Sequence, residues 1–172
     1  MRLRRLVVLR HAKSAWPPDV DDRDRPLAER GLRDAPAAGR WLRDADCVPD
    51  LVLCSPAVRT RQTWDLVAQQ LPTSPPVRHD PRLYGADAEG LLAVVRETPD
   101  TVATLLLVGH NPAVQDLVLL LTSEALGDAL ERTREKFPTS AIAVLTQQRS
   151  WPEAVQSGSL LTDVAVPRGA AT

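Results

Sequence analysis

The chain has 172 residues, 44% of them hydrophobic and 25% charged, and a formal net charge of -1 at pH 7. That length suits one domain with a substantial core, and the composition excludes a globally disordered or collagen-like chain. Near-neutral charge gives no electrostatic reason to expect a nucleic-acid or anionic-membrane partner, so any cationic site must be local.

The chain opens on Arg2, Arg4 and Arg5, followed by the apolar run Leu6-Val7-Val8-Leu9. The run is too short for a secretory h-region, and Arg10-His11 ends it. No segment approaches the roughly 20 apolar residues of a membrane span, so a cytoplasmic protein is expected. Cys47 and Cys54 lack metal-ligand spacing and are expected as buried free thiols.

Short apolar runs alternating with helical patterns predict an α/β sheet. The first strand is expected over 5–10 and a Pro- and Asp-rich loop over 12–25. A helix over 27–44 follows, with Leu32, Ala35, Gly39, Leu42 and Ala45 as its core-facing stripe. A strand over 51–54 leads to Ser55-Pro56, read as the N-cap and first residue of a helix ending near Leu71. Beyond the surface loop 72–76, a short strand over 77–79 and a helix over 87–97 are expected. The continuous run at 104–108 predicts a central strand. It ends at Gly109-His110-Asn111-Pro112, where the next helix begins. Late strands, antiparallel or near an edge, are expected at 141–146 and 160–166. The domain should span 1–167, with 168–172 as a short tail.

Three strand ends carry polar residues: Arg10-His11, Ser55 to Arg59, and Gly109 to Asn111. A parallel sheet gathers such ends on one edge, where ligand chemistry collects. Arginine forks suit phosphate oxygens, a histidine supplies a nucleophile or proton carrier, and helix N-termini add N–H donors. Together they predict an anion pocket suited to a phosphoryl dianion. Lys13 could extend it, and Trp16 could line it. His79 lies away from these motifs and is read as a surface residue.

Leu9-Arg10-His11-Ala12-Lys13, Ser55 to Thr63 and Val108-Gly109-His110-Asn111 resemble the three core motifs of the histidine phosphatase superfamily. Arg25-Pro26-Leu27 followed by Gly31 resembles a segment of its small phosphohistidine phosphatase (SixA-type) branch. Many members have glycine where this chain has Ala12. The resemblance implies a three-layer α/β/α sandwich with a mostly parallel, phosphoglycerate mutase-like sheet. The roughly 45 residues between Thr63 and Gly109 must still supply a strand and a helix, which leaves no room for a large lid.

The resemblance also implies that His11 is a nucleophile forming a phosphohistidine intermediate, with Arg10, Arg59 and His110 on the phosphoryl oxygens. No metal or cofactor is implied. No residue matches the proton-donating carboxylate of larger relatives; Asp22, Asp24 and Glu89 are the candidates. The expected substrate is phosphohistidine on a protein, because imidazole departs with little assistance. A small phosphoester or nucleotide and a non-catalytic phosphate-binding module are the alternatives. The sequence leaves the oligomeric state open.

Overall fold

Alternating side chains along the strands divide the core between two faces of one sheet. In the computed structural model, which describes residues 2–170, the chain runs β1 (Arg4–Arg10), α1 (Glu29–Asp44), β2 (Leu51–Cys54), α2 (Val58–Ala68), β3 (Val77–His79), α3 (Ala88–Arg96), β4 (Thr104–Gly109), α4 (Ala113–Leu121), β5 (Thr122–Ala125), α5 (Ala129–Glu135), β6 (Ile142–Gln147) and β7 (Ser159–Ala165). Val7 and Leu9, with Val52, Leu106 and Val108, pack under Ala38 and Leu42 of α1 and Trp64 and Val67 of α2. Leu6, Val8, Leu53, Leu105 and Leu107 face the other way, against Leu91 and Val95 of α3 and Val114 and Leu117 of α4. This is the three-layer sandwich that the resemblance implied, and strands buried on both faces require it.

The sheet order is β3-β2-β4-β1-β6-β7-β5. Only β6 runs against the rest, pairing antiparallel with β1 and β7. The late strands β6 and β7 pair antiparallel and β7 lies next to the edge, as expected; the edge strands themselves are β3 and β5. The sequence reading missed β5 and α5. The segment between α2 and β4 holds only β3, a 3-10 turn at Pro81–Leu83 and α3, so no large lid is inserted there.

The central pair β1 and β4 is parallel, with Arg10 opposite Gly109. The chain leaves β1 for α1 on one face and β4 for α4 on the other, which opens a crevice between the two strand ends. His11 and His110 are the first residues beyond them, so the topology alone makes them neighbours.

Two boundaries differ from expectation. Helix α1 begins at Glu29, and its buried side is Gly31, Asp34, Ala35, Ala38, Gly39 and Leu42. Leu32 is half-exposed and Ala45 exposed, because the stripe is centred about one position from the predicted one. Gly31 is a packing requirement, since a Cβ there would collide with the Lys13 carbonyl oxygen. Helix α2 starts at Val58 after Ala57, with no side-chain cap, so Ser55 is not its N-cap.

The expected tail is tied down as far as Gly169; Ala171 and Thr172 lie outside the described residues. Arg168 Nη1 donates to Asp34 Oδ2 at 3.1 Å and to the Thr139 carbonyl at 2.9 Å, while Gly169 N donates to Asp34 Oδ1 at 2.9 Å. A Cβ on Gly169 would clash with the Arg33 carbonyl. Cys47 and Cys54 are buried free thiols. No helix of the described residues is long and apolar enough to cross a membrane.

Candidate active site

The strand ends build the site from the backbone outward. His11 N donates to the Gly109 carbonyl at 3.1 Å, and Ser55 N donates to the Val108 carbonyl at 3.1 Å. These bonds set β1, β4 and β2 side by side where the chain turns polar. The imidazole centroids of His11 and His110 are 5.3 Å apart. Arg10, His11, Lys13, Arg59 and His110 line one cavity of about 230 Å³, so the structure brings the predicted pocket together.

His11 is buried, and its Nδ1 lies 2.7 Å from its neighbour Ala12's carbonyl oxygen. A carbonyl can only accept, so Nδ1 carries the proton and Nε2 keeps its lone pair. Burial is the largest cause holding the His11 pKa down, to about 3, with the charges of His110, Arg59 and Arg10 adding to it. The site therefore presents a neutral, nucleophilic imidazole.

His110 is oriented by Ser55, whose hydroxyl lies 2.8 Å from Nε2. Ser55 Oγ also accepts weakly from Ala57 N at 3.4 Å, and among the described residues no other acceptor takes its proton, so it donates to Nε2. Nδ1 of His110 is then the donor, and it is buried without a protein partner among the described residues. Burial lowers the His110 pKa to about 4, with the Arg59 charge next and Asp22 opposing. A bound phosphoryl dianion would act in the same direction as Asp22 and favour the imidazolium.

Helix α2 delivers Arg59 through a set of hydroxyl bonds. Thr60 Oγ1 donates to the Ser55 carbonyl at 2.7 Å, and Thr63 Oγ1 donates to the Arg59 carbonyl at 2.7 Å while accepting from Ala12 N at 3.0 Å. The Ser55-to-Thr63 motif thus clamps the helix to the loop carrying His11. Arg10 donates from Nη1 to the Phe137 carbonyl at 3.2 Å, and Asn111 Nδ2 donates to the same oxygen at 2.9 Å. Lys13 is exposed at the rim, beside Trp16.

The three candidate acids separate cleanly. Glu89 is exposed at the start of α3 and lines a different cavity with Asp87 and Asp116, one that neither histidine lines. Asp24 is exposed on the 3-10 turn Asp22–Asp24. Asp22 alone reaches the machinery. It accepts from Tyr84 Oη at 2.6 Å, from Arg25 Nη1 at 2.9 Å and from Arg59 Nη2 at 3.0 Å, and its carbonyl accepts from Arg59 Nη1 at 2.6 Å. The Tyr84 hydrogen bond is the largest cause holding this carboxyl far below the carboxylate range, followed by that of Arg25.

Tyr84 is a site residue the sequence reading missed, set edge-on to His110 with centroids 5.6 Å apart. It comes from the connection between β3 and α3, where no strand end announces it. Being the only tyrosine of the chain was the one available signal.

Residues 6–103 match the family model of the histidine phosphatase superfamily (branch 1). An uncharacterised protein of Mycobacterium tuberculosis is 43% identical over 162 residues, covering 93% of this chain and all of the relative. Among solved structures, a candidate phosphohistidine phosphatase SixA from Nakamurella superposes with a TM-score of 0.87 at 35% identity, covering 97% of this chain and 98% of that one. A protein histidine phosphatase SixA complexed with tungstate gives 0.76 at 26% identity, covering 95% and 97%.

Proposed function

Because the chain belongs to the histidine phosphatase superfamily, we propose that it is a phosphatase that removes the phosphoryl group from phosphohistidine on a protein, with His11 as nucleophile. The observation that carries this reading is the state of His11: Nδ1 tied to the Ala12 carbonyl, the ring neutral, and Nε2 left with its lone pair in the pocket of Arg10, Arg59 and His110.

In the proposed reaction Nε2 of His11 attacks phosphorus in line, and the bond from phosphorus to the substrate nitrogen breaks. The electron pair stays with the departing imidazole, whose own pKa near 6.5 lets the ring carry its proton before departure. Water then attacks the phosphorylated His11, the P–N bond to Nε2 breaks, and inorganic phosphate leaves. Arg10, Arg59 and His110 Nδ1–H offset the charge on the equatorial oxygens. The scheme uses no metal. Asp22, held as an anion, has no proton to give, which fits a leaving group that needs little help. The short connection between α2 and β4 leaves the mouth open to a side chain presented by a folded protein.

The test is phosphate release from a phosphohistidine-bearing protein and from an aryl phosphate, in parallel, without added metal. The reading predicts preference for the protein and no turnover of either by His11→Ala. Preference for the ester would make this a small-phosphoester phosphatase. Phosphate binding without turnover of either would make it a binding module.

A further inference from the structure

Trp16 is the most exposed large apolar residue among those described, at 74%, yet it is not loose. One face of its ring covers the Arg25 guanidinium, with Cζ 3.2 Å from the ring centroid. Arg25 is itself buried and fixed in plane, donating to the Ala15 carbonyl at 3.1 Å, to Asp22 Oδ1 at 2.9 Å and to Ser14 Oγ. The backbone on the N-terminal side of Trp16 is pinned as well, by Ala15 N donating to the Pro26 carbonyl at 2.8 Å and a bridge between Ser14 and Leu27. Pro17 follows directly and restricts the chain further.

Covering Arg25 uses one face of the indole and explains its rigidity. It does not explain why the remaining face stands in solvent beside the cavity that holds His11, Arg59 and His110. That cavity, about 230 Å³, lies below the roughly 300 Å³ at which ordinary ligand pockets begin. Trp16 is among the residues lining it, so whatever is bonded to a phosphoryl group held there shares the cavity with the indole. In-line attack by His11 also sends the leaving group away from the nucleophile, toward the mouth. A fixed, flat, apolar surface there has already lost its rotamer freedom, so contact with it costs little ordering.

We infer that the open face of Trp16 packs against the planar ring bonded to the phosphoryl group, making Trp16 a specificity-determining residue. It favours ring-borne phosphoryl groups, such as the imidazole of phosphohistidine, over alkyl phosphates. The imidazole assignment rests on the function proposed above; the preference for a ring does not.

The experiment separates the two by using binding as well as turnover. Calorimetry on the full chain measures phenylphosphonate, methylphosphonate and vanadate, for the wild type, Trp16→Ala and Trp16→Phe. Ring contact of this kind predicts that Trp16→Ala weakens phenylphosphonate roughly three- to tenfold. Methylphosphonate and vanadate should stay within about twofold, and Trp16→Phe should retain most of the ring preference. An equal loss on all three ligands would overturn the inference, showing that Trp16 acts through Arg25 and Asp22 on Arg59. No loss on phenylphosphonate, or no phosphonate binding by the wild type, would overturn it too. Turnover of phosphohistidine is read separately: its absence beside an intact ring preference would defeat the proposed substrate and leave Trp16 where it is placed here.

Discussion

A general acid must hold a proton at working pH, and Asp22 holds none. Tyr84, Arg25 and Arg59 all donate to its carboxylate, and each of those bonds favours the charged form. Its geometry suits positioning instead, since its carbonyl and carboxylate fix both Nη atoms of Arg59 while Nε is left without a partner. Asp22→Asn is therefore expected to slow nitrophenyl phosphate and an alkyl phosphate by the same factor, about tenfold, the scale of a lost charge-assisted hydrogen bond. A much greater loss with the poor leaving group would restore Asp22 as the acid. Ser55 teaches a related lesson. Serine before proline reads as a helix cap, and only the pairing of β2 with β4 reveals that its hydroxyl is needed by His110.

At the scale of elements, α1 shows what periodicity can and cannot say. The pattern located the helix and three of its five core-facing positions, Ala35, Gly39 and Leu42, but it put Leu32 inward, whereas Asp34 occupies the buried face at 1% exposure. A buried carboxylate is tolerated only with partners, and here they are Arg30 one turn earlier, at 3.5 Å, and Arg168 and Gly169, more than a hundred residues along the chain. Only the Arg30 pairing has a local, i to i+4 signature. Because Arg168 also bonds the Thr139 carbonyl, the tail braces the cavity that His11 and His110 line, to which Thr139 contributes. Asp34→Ala should cost about 1–3 kcal/mol in urea unfolding, the usual range for orphaning buried hydrogen-bonding groups. It should also expose the end of the chain to limited proteolysis near Arg168. Unchanged stability with a protected tail would show that the contact is incidental. β5 and α5 escaped the sequence reading for a plainer reason: Thr122–Ala125 is exposed at mid-strand, and α5 buries only Ala129 and Thr133.

For the whole molecule, the sheet was legible because β1, β2 and β4 are nearly unbroken apolar runs, and the site was legible because each run ends in a polar motif. What the sequence withheld was the set of side chains that hold Arg59 and the two histidines in place: Tyr84, the Asp22–Arg59 pairing and the Ser55–His110 bond. Burying two neutral histidines also has a global consequence. Their pKa values of about 3 and about 4 lie below the unfolded value of about 6.5, so the unfolded chain binds more protons in that window. Stability must therefore fall as pH drops from about 6.5 toward 4, by up to about 1.4 kcal/mol per pH unit for each histidine. Urea midpoints across that range should show this slope, and His11→Asn should lessen it; an unaltered slope would mean that His11 is not held neutral. The central claim concerns the same ring. Wild-type protein mixed with a phosphoryl donor, quenched within milliseconds and mapped by mass spectrometry under alkaline conditions should carry the phosphoryl group on His11. A turning-over enzyme with the label on Ser55 or another residue, or with His11 never labelled, would contradict the account.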